Sequence, residues 1–100
     1  MGVTSGASQQ SASENIKITN LAVSTSETSH SLQQGTVQLW IRARGLDTFY
    51  ISFVSGETST KYLTISPGCT FSLDGVSMAG KIVYIRSDKA SGIAEILETY

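Results

Sequence analysis

The sequence predicts an all-β fold: an antiparallel β-sandwich, jelly-roll-like, with a flexible N-terminal arm. Three observations predict it. Short apolar runs recur at near-regular spacing, separated by links rich in Gly, Ser and Thr. No stretch of useful length carries a helical period. The polar link from Ser24 to Gln34 is long enough to cross between sheets, as Greek-key and jelly-roll topologies require.

Residues 1–13 form the expected arm and residues 14–100 the sandwich domain. Met1 to Ser13 is Ser, Gly, Gln, Ala and Thr with Val3 as the only large apolar side chain besides Met1. Such a segment buries too little apolar area to offset its ordering entropy, so alone it is a flexible arm; on a neighbouring subunit it has a surface to order against. Glu14 to Val23 holds the first strand, with Ile16, Ile18, Leu21 and Val23 as its apolar positions. The step from Ile18 to Leu21 breaks alternation and predicts a bulge or bend near Asn20. In the following polar link Leu32 is the one sizeable apolar residue and pins the loop to the core.

Gly35 to Arg44 alternates with period two. Val37, Leu39, Ile41 and Ala43 share one face; Gln38, Trp40, Arg42 and Arg44 share the other. Burial of the large aliphatics stabilises the fold by ~1.5–3 kcal/mol each. Thr48 to Val54 follows, with Phe49, Ile51 and Phe53 inward and Tyr50 and Ser52 outward. Tyr62 to Ile65 ends at Ser66-Pro67-Gly68, a turn, since Pro lacks an amide hydrogen and Gly tolerates positive φ. Phe71 to Asp74 alternates again, Gly75 breaks it, and Met78-Ala79-Gly80 lets the chain cross over. Lys81 to Ser87 is a strong strand, and Ile93 to Thr99 is expected to pair back against it as a hairpin across the Asp88 to Gly92 link. The count is seven strands, or eight if a polar link contributes one. The expected core faces include Leu63/Ile65, Phe71/Leu73 and Val83/Ile85; the face of the last strand stays open because Ile96 and Leu97 are adjacent.

The stretch Tyr62–Ile65, Pro67-Gly68, Phe71–Val76, Lys81–Asp88 and Gly92–Glu98 resembles the C-terminal half of small virion proteins of tailed bacteriophages. These are head-decoration (cement), head-fibre and neck or tail accessory proteins. In them a strand ends at Pro-Gly, a strand like SLDGV follows, and a strand like LYVRSD pairs with one like AGTVEIL. The resemblance covers little more than a third of the chain and carries no catalytic residue. It implies a β-sandwich in a virion, with a structural role.

One hundred residues make one domain with a single two-layer core. Charged residues are 15% of the chain, below the usual ~25%, and the net charge is −1, so no basic field marks a nucleic-acid surface. One cysteine, Cys69, excludes an intrachain disulfide. No apolar run approaches the ~20 residues of a membrane span, and the start of the chain lacks a signal pattern. Folding in a host cytoplasm and residence in a virion is the expected localisation.

No catalytic, cofactor or metal residues are assigned. His30 reads as a solvated loop histidine, because a triad also needs an orienting carboxylate and an oxyanion hole. Asp47, Asp74, Asp88 and Glu57 sit in or beside turns, where Asp bonds nearby amides; no spaced Asp-x-Asp pattern marks calcium. Cys69 reads as a structural or semi-buried thiol. Trp40, Arg42 and Arg44 are the candidate interface, with Tyr50 and Tyr84 sharing it if their strands are neighbours. An outward Trp beside Arg is typical of binding hot spots; the competing reading is a face packed against the second sheet or covered by a loop.

The expected function is a non-enzymatic structural component of a bacteriophage virion, decorating or stabilising the head, or a neck or tail accessory. Its partners are the major capsid protein or other virion proteins, with homo-oligomers expected and neither nucleic acid nor membrane. The alternative is a carbohydrate- or receptor-binding β-module in which Trp40, Tyr50 or Tyr84 stacks on a sugar ring.

Overall fold

Alternating apolar residues form strands here, and the Gly- and Ser-rich links carry them between two layers. The structure is a computed structural model describing residues 15–75, 78 and 80–100; the expected arm, residues 1–13, lies outside the described residues. Eight strands are described: β1 (Ile16–Val23), β2 (Thr28–Ser31), β3 (Gln38–Ala43), β4 (Phe49–Ser52), β5 (Leu63–Ile65), β6 (Thr70–Asp74), β7 (Ile82–Ser87) and β8 (Gly92–Thr99). The extra strand over the seven-strand reading is β2, inside the polar link.

One antiparallel sheet has the order β1-β8-β3-β6 and the other β2-β7-β4-β5. That is a jelly-roll arrangement of two four-stranded layers. Of consecutive strands, only β4 and β5 pair with each other. The expected hairpin between β7 and β8 is therefore corrected: the Asp88 link carries the chain to the other sheet, where β8 inserts between β1 and β3. Two strand edges there offer β8 twice the ladder that one hairpin partner would.

The core lies between the layers. Val23, Leu39, Ile41, Ala94 and Ile96 come from the first sheet; Phe49, Ile51, Ile65, Val83 and Ile85 from the second. Leu32 and Met78 close it from the links, so Leu32 does pin its loop. Phe71 and Leu73 pack against it, and Leu97 turns outward while Ile96 is buried. The register of β1 on β8 runs without interruption from Ile16↔Thr99 to Val23↔Gly92, so no bulge occurs near Asn20. The cost of keeping that register is that Ile16 and Ile18 fall on the outer face. Three residues expected inside are exposed: Val37 and Phe53 lie just beyond their strands, and Leu63, on the edge strand β5, is 55% exposed.

Links at each end of the sandwich converge on a buried carboxylate. Glu98, on the inward face of β8, is 0% exposed. It accepts hydrogen bonds from the Gln33 amide at 2.6 Å, the Thr36 hydroxyl at 3.0 Å and His30 Nε2 at 2.7 Å. His30 is thus not a solvated loop residue: it sits on β2, faces the interior opposite Val83, and reaches across to the other sheet. Burial alone would raise the Glu98 carboxyl, but these three donors outweigh it and hold the group below the usual carboxylate range. The neighbouring link is tied in as well, since Met78 N donates to Thr36 O at 3.0 Å.

At the opposite end Asp47 accepts from the Ser87 hydroxyl at 3.0 Å. Beside it, Asp88 accepts from Thr48 N at 2.9 Å and returns its own amide to Thr48 O at 3.0 Å. The Asp47 carboxylate lies so close to Gly92 that a Cβ there would run into it. Gly92 is required by close approach, whereas Gly68 is required by its φ of 79° in the Ser66–Cys69 turn, closed by Cys69 N to Ser66 O at 3.0 Å.

Two predictions follow from these ends. Gly92→Ala should lower the unfolding free energy by about 1–3 kcal/mol, the usual range for overpacking, measured by urea denaturation; an unchanged midpoint would show that Asp47 swings aside freely. Glu98→Ala should cost about 3 kcal/mol or more, since it strips the acceptor from three buried or partly buried donors at about 1–3 kcal/mol each. Because the folded-state pKa of Glu98 is depressed, its contribution is complete above the ordinary carboxylate value and is lost as pH falls through the lower folded value. Thermal melts of Glu98→Gln should accordingly show a shallower fall in Tm on acidification than the parent; parallel curves would contradict this.

Candidate functional site

Period-two alternation on four adjacent strands puts every second side chain of the first sheet on its outer face. The register sets them in rows across β1, β8, β3 and β6. Ile18, Leu97, Trp40 and Ser72 form one row. Asn20, Glu95, Arg42 and Thr70 form the next, and Ile16, Thr99, Gln38 and Asp74 lie on the other side. Trp40 is 45% exposed and Ile18 69%. Trp40 therefore does not pack against the second sheet, and no loop among the described residues buries it. A depression of ≈ 470 Å³ runs over the apolar and ionic rows.

Arg42, on β3, and Arg44, one residue past its end, lean on the same carboxylate. Arg42 Nε donates to Glu95 Oε1 at 2.8 Å and Arg44 Nε to Glu95 Oε2 at 2.9 Å. The Arg42 hydrogen bond first, then that of Arg44, holds Glu95 below the usual carboxylate range. Both guanidinium groups are more than half exposed, so each pair by itself adds little stability. What the cluster does is fix two guanidinium planes in place, with their terminal nitrogens bonded to no acceptor among the described residues.

Tyr50 and Tyr84 do not join this surface. They lie on β4 and β7, which are neighbours of each other in the second sheet and not of β3. Tyr50 is already engaged: the Arg86 guanidinium lies 4.2 Å above its ring and Tyr62 meets its edge at 5.1 Å. Arg86 also donates to the Thr58 carbonyl at 3.0 Å. Glu27 accepts from the Gly56 amide at 2.9 Å and the Thr58 hydroxyl at 2.7 Å, with its carboxyl held low chiefly by the Gly56 amide. The Ser55 to Thr60 segment is thus strapped to the second sheet, whereas among the described residues no loop is strapped to the outer face of the first.

The remaining candidates fall elsewhere. Asp47 bonds the side-chain hydroxyl of Ser87 at the end of the adjacent strand in place of a nearby amide, while Asp88 does take one, from Thr48. Cys69 is exposed after its turn, which corrects the semi-buried reading. Among the described residues no three His, Cys, Asp or Glu side chains gather as metal ligands. The His30–Glu98 contact was missed by sequence reasoning, yet a signal existed. Thr28, His30 and Leu32 alternate with Ser29 and Ser31, and Glu98 continues the inward set Ala94/Ile96.

No family model and no curated protein matches the chain. Among solved structures, the Cupin_2 domain of an XRE family transcriptional regulator from Enterobacter cloacae is similar with a TM-score of 0.58 and 10% identity, over 86% of this chain and 82% of that one. A de novo designed double-stranded β-helix is similar with a TM-score of 0.53 and 16% identity, over 84% of this chain and 99% of that one. At these identities the likeness is one of fold, and it agrees with the jelly-roll topology.

Since Trp40 makes its chain contacts on an outer face, Trp40→Ala should leave the folded domain within about 1 kcal/mol of the parent, as for surface positions, by denaturant titration. Loss of folding in this variant would mean that Trp40 is a structural residue and not a docking one.

Proposed function

We propose that this chain is a non-enzymatic structural component of a bacteriophage virion, one that decorates or stabilises the head or serves in the neck or tail. It docks through the outer face of the first sheet. The observation that carries this reading is the exposed row Ile18–Leu97–Trp40 beside two guanidinium groups held in place by Glu95. Trp and Arg are the residues most enriched where binding energy concentrates, and a central apolar strip with a polar border is how protein interfaces are built. The virion setting rests on the resemblance of Tyr62 to Glu98 to small phage accessory proteins. A non-enzymatic role is supported by the interior: Leu39, Ile41, Phe49, Ile51, Val83, Ile85 and Ile96 occupy the space between the sheets.

The second reading, a carbohydrate- or receptor-binding module, draws on the same exposed Trp40, which offers an aromatic face to a sugar ring. Tyr50 is a poorer platform because Arg86 already covers it. Trp40 is the chain's single tryptophan, so a glycan-dependent change in its fluorescence would report binding at this face without ambiguity.

Immunogold electron microscopy of particles from the source lysate, with antibody against this chain, tests the virion role. Label over heads or confined to a neck or tail is the expected outcome, and its pattern separates the two placements. Unlabelled particles would remove the virion reading.

A further inference from the structure

We propose that the occupant of the first sheet's outer face is a second copy of this chain, related by a two-fold axis that runs along the strands between β8 and β3. This rests on the reading of that face as a docking surface and names its partner. The order β1-β8-β3-β6 makes β8 and β3 the central strands. Their outward residues are matched in register: Thr99 with Gln38, Leu97 with Trp40, and Glu95 with Arg42. A two-fold axis between these strands exchanges them. Trp40 then covers the partner's Leu97, Arg42 meets the partner's Glu95, and Gln38 meets the partner's Thr99. Each central position thus faces a residue of the chemistry it already pairs with along the ladder: amide with hydroxyl, aromatic with aliphatic, cation with anion. A self-complementary patch of this kind is what a closed isologous interface demands.

The donors left over fit the same arrangement. Arg42 and Arg44 each bind Glu95 through Nε, and their terminal nitrogens, which meet no acceptor among the described residues, can reach a carboxylate from above. The size sets the strength. Four strands of eight, eight, six and five residues, at ~3.3 Å per residue and about 4.8 Å spacing, give a face of roughly 430 Å² per copy. Two such faces span roughly 860 Å² in all, below the ~1,200 Å² of stable specific interfaces, which makes the dimer weak and concentration-dependent. Sheet twist splays the edge strands apart, so contact is closest at β8 and β3, where the complementarity lies.

Sedimentation velocity from micromolar to millimolar chain is the test, with folding of each variant checked by circular dichroism. The parent is expected to show a monomer–dimer equilibrium. Trp40→Asp should weaken it by about thirtyfold or more, as for a central hot spot. Arg42→Glu and Glu95→Arg should each be monomeric alone, and an equimolar mixture of the two should recover a heterodimer. Lys61→Glu, beside β5 of the other sheet, should dimerise as the parent does. A parent that stays monomeric throughout, a dimer unmoved by Trp40→Asp, or a mixture that fails to recover would each overturn the proposal. A monomeric chain that still binds particles through Trp40 would also overturn it, while leaving the docking reading in place.

Discussion

Two layers of a jelly roll share no backbone ladder, so what holds them in register is the constraint on which the structure depends. Apolar packing joins the layers but is non-directional. Direction comes from Glu98. Its carboxylate sits on β8 and collects an imidazole from the opposite sheet together with an amide and a hydroxyl from the link after β2. With three donors from fixed directions on its two oxygens, the carboxylate favours one position of the first sheet against the second. At the other end Asp47 and Asp88, with Ser87 and Thr48, tie the entry of β4 to the end of β7 within the second sheet. A buried charge is costly unless it is paired, and that cost selects this arrangement over slipped alternatives.

The same register that places Glu98 inward determines what appears outside. A strand shows its faces alternately, so fixing Ala94, Ile96 and Glu98 inside forces Glu95 and Leu97 out. Their ladder partners on β3 are Arg42 and Trp40, and on β1 Asn20 and Ile18. The composition of the outer face is therefore tied to the interior clamp. The second sheet has the equivalent outward positions, but Arg86 and Glu27 use them to hold the chain's own loop.

Strand identity and the faces of β3, β4 and β7 were legible because two-residue alternation is a local property. Leu39/Ile41, Phe49/Ile51 and Val83/Ile85 needed no knowledge of partners. The partner of β8 was not legible. A five-residue link reads equally well as a hairpin or as a crossing between sheets, and only the long-range offer of two edges decides it. For the same reason Trp40, Arg42 and Arg44 were found together on one strand, whereas Tyr50 and Tyr84 were assigned to that surface without the sheet order that separates them. His30 was hidden by its Ser-rich surroundings, whose polarity masked a short strand. The step from Ile18 to Leu21 suggested a bulge near Asn20, whereas Ile16 and Ile18 are apolar residues on an outer face.

The position of β8 has a kinetic consequence. It follows every other described strand in the chain, yet it is the strand that separates β1 from β3 and brings Glu98 to His30. During synthesis the earlier segments can assemble β3 with β6 and the second sheet, while β1 has no ladder partner until β8 emerges. Closure of the first sheet is a late, non-local event with a high loop-entropy barrier. Until then the edges of β1 and β3 stand open, so the folding chain is most aggregation-exposed before β8 docks.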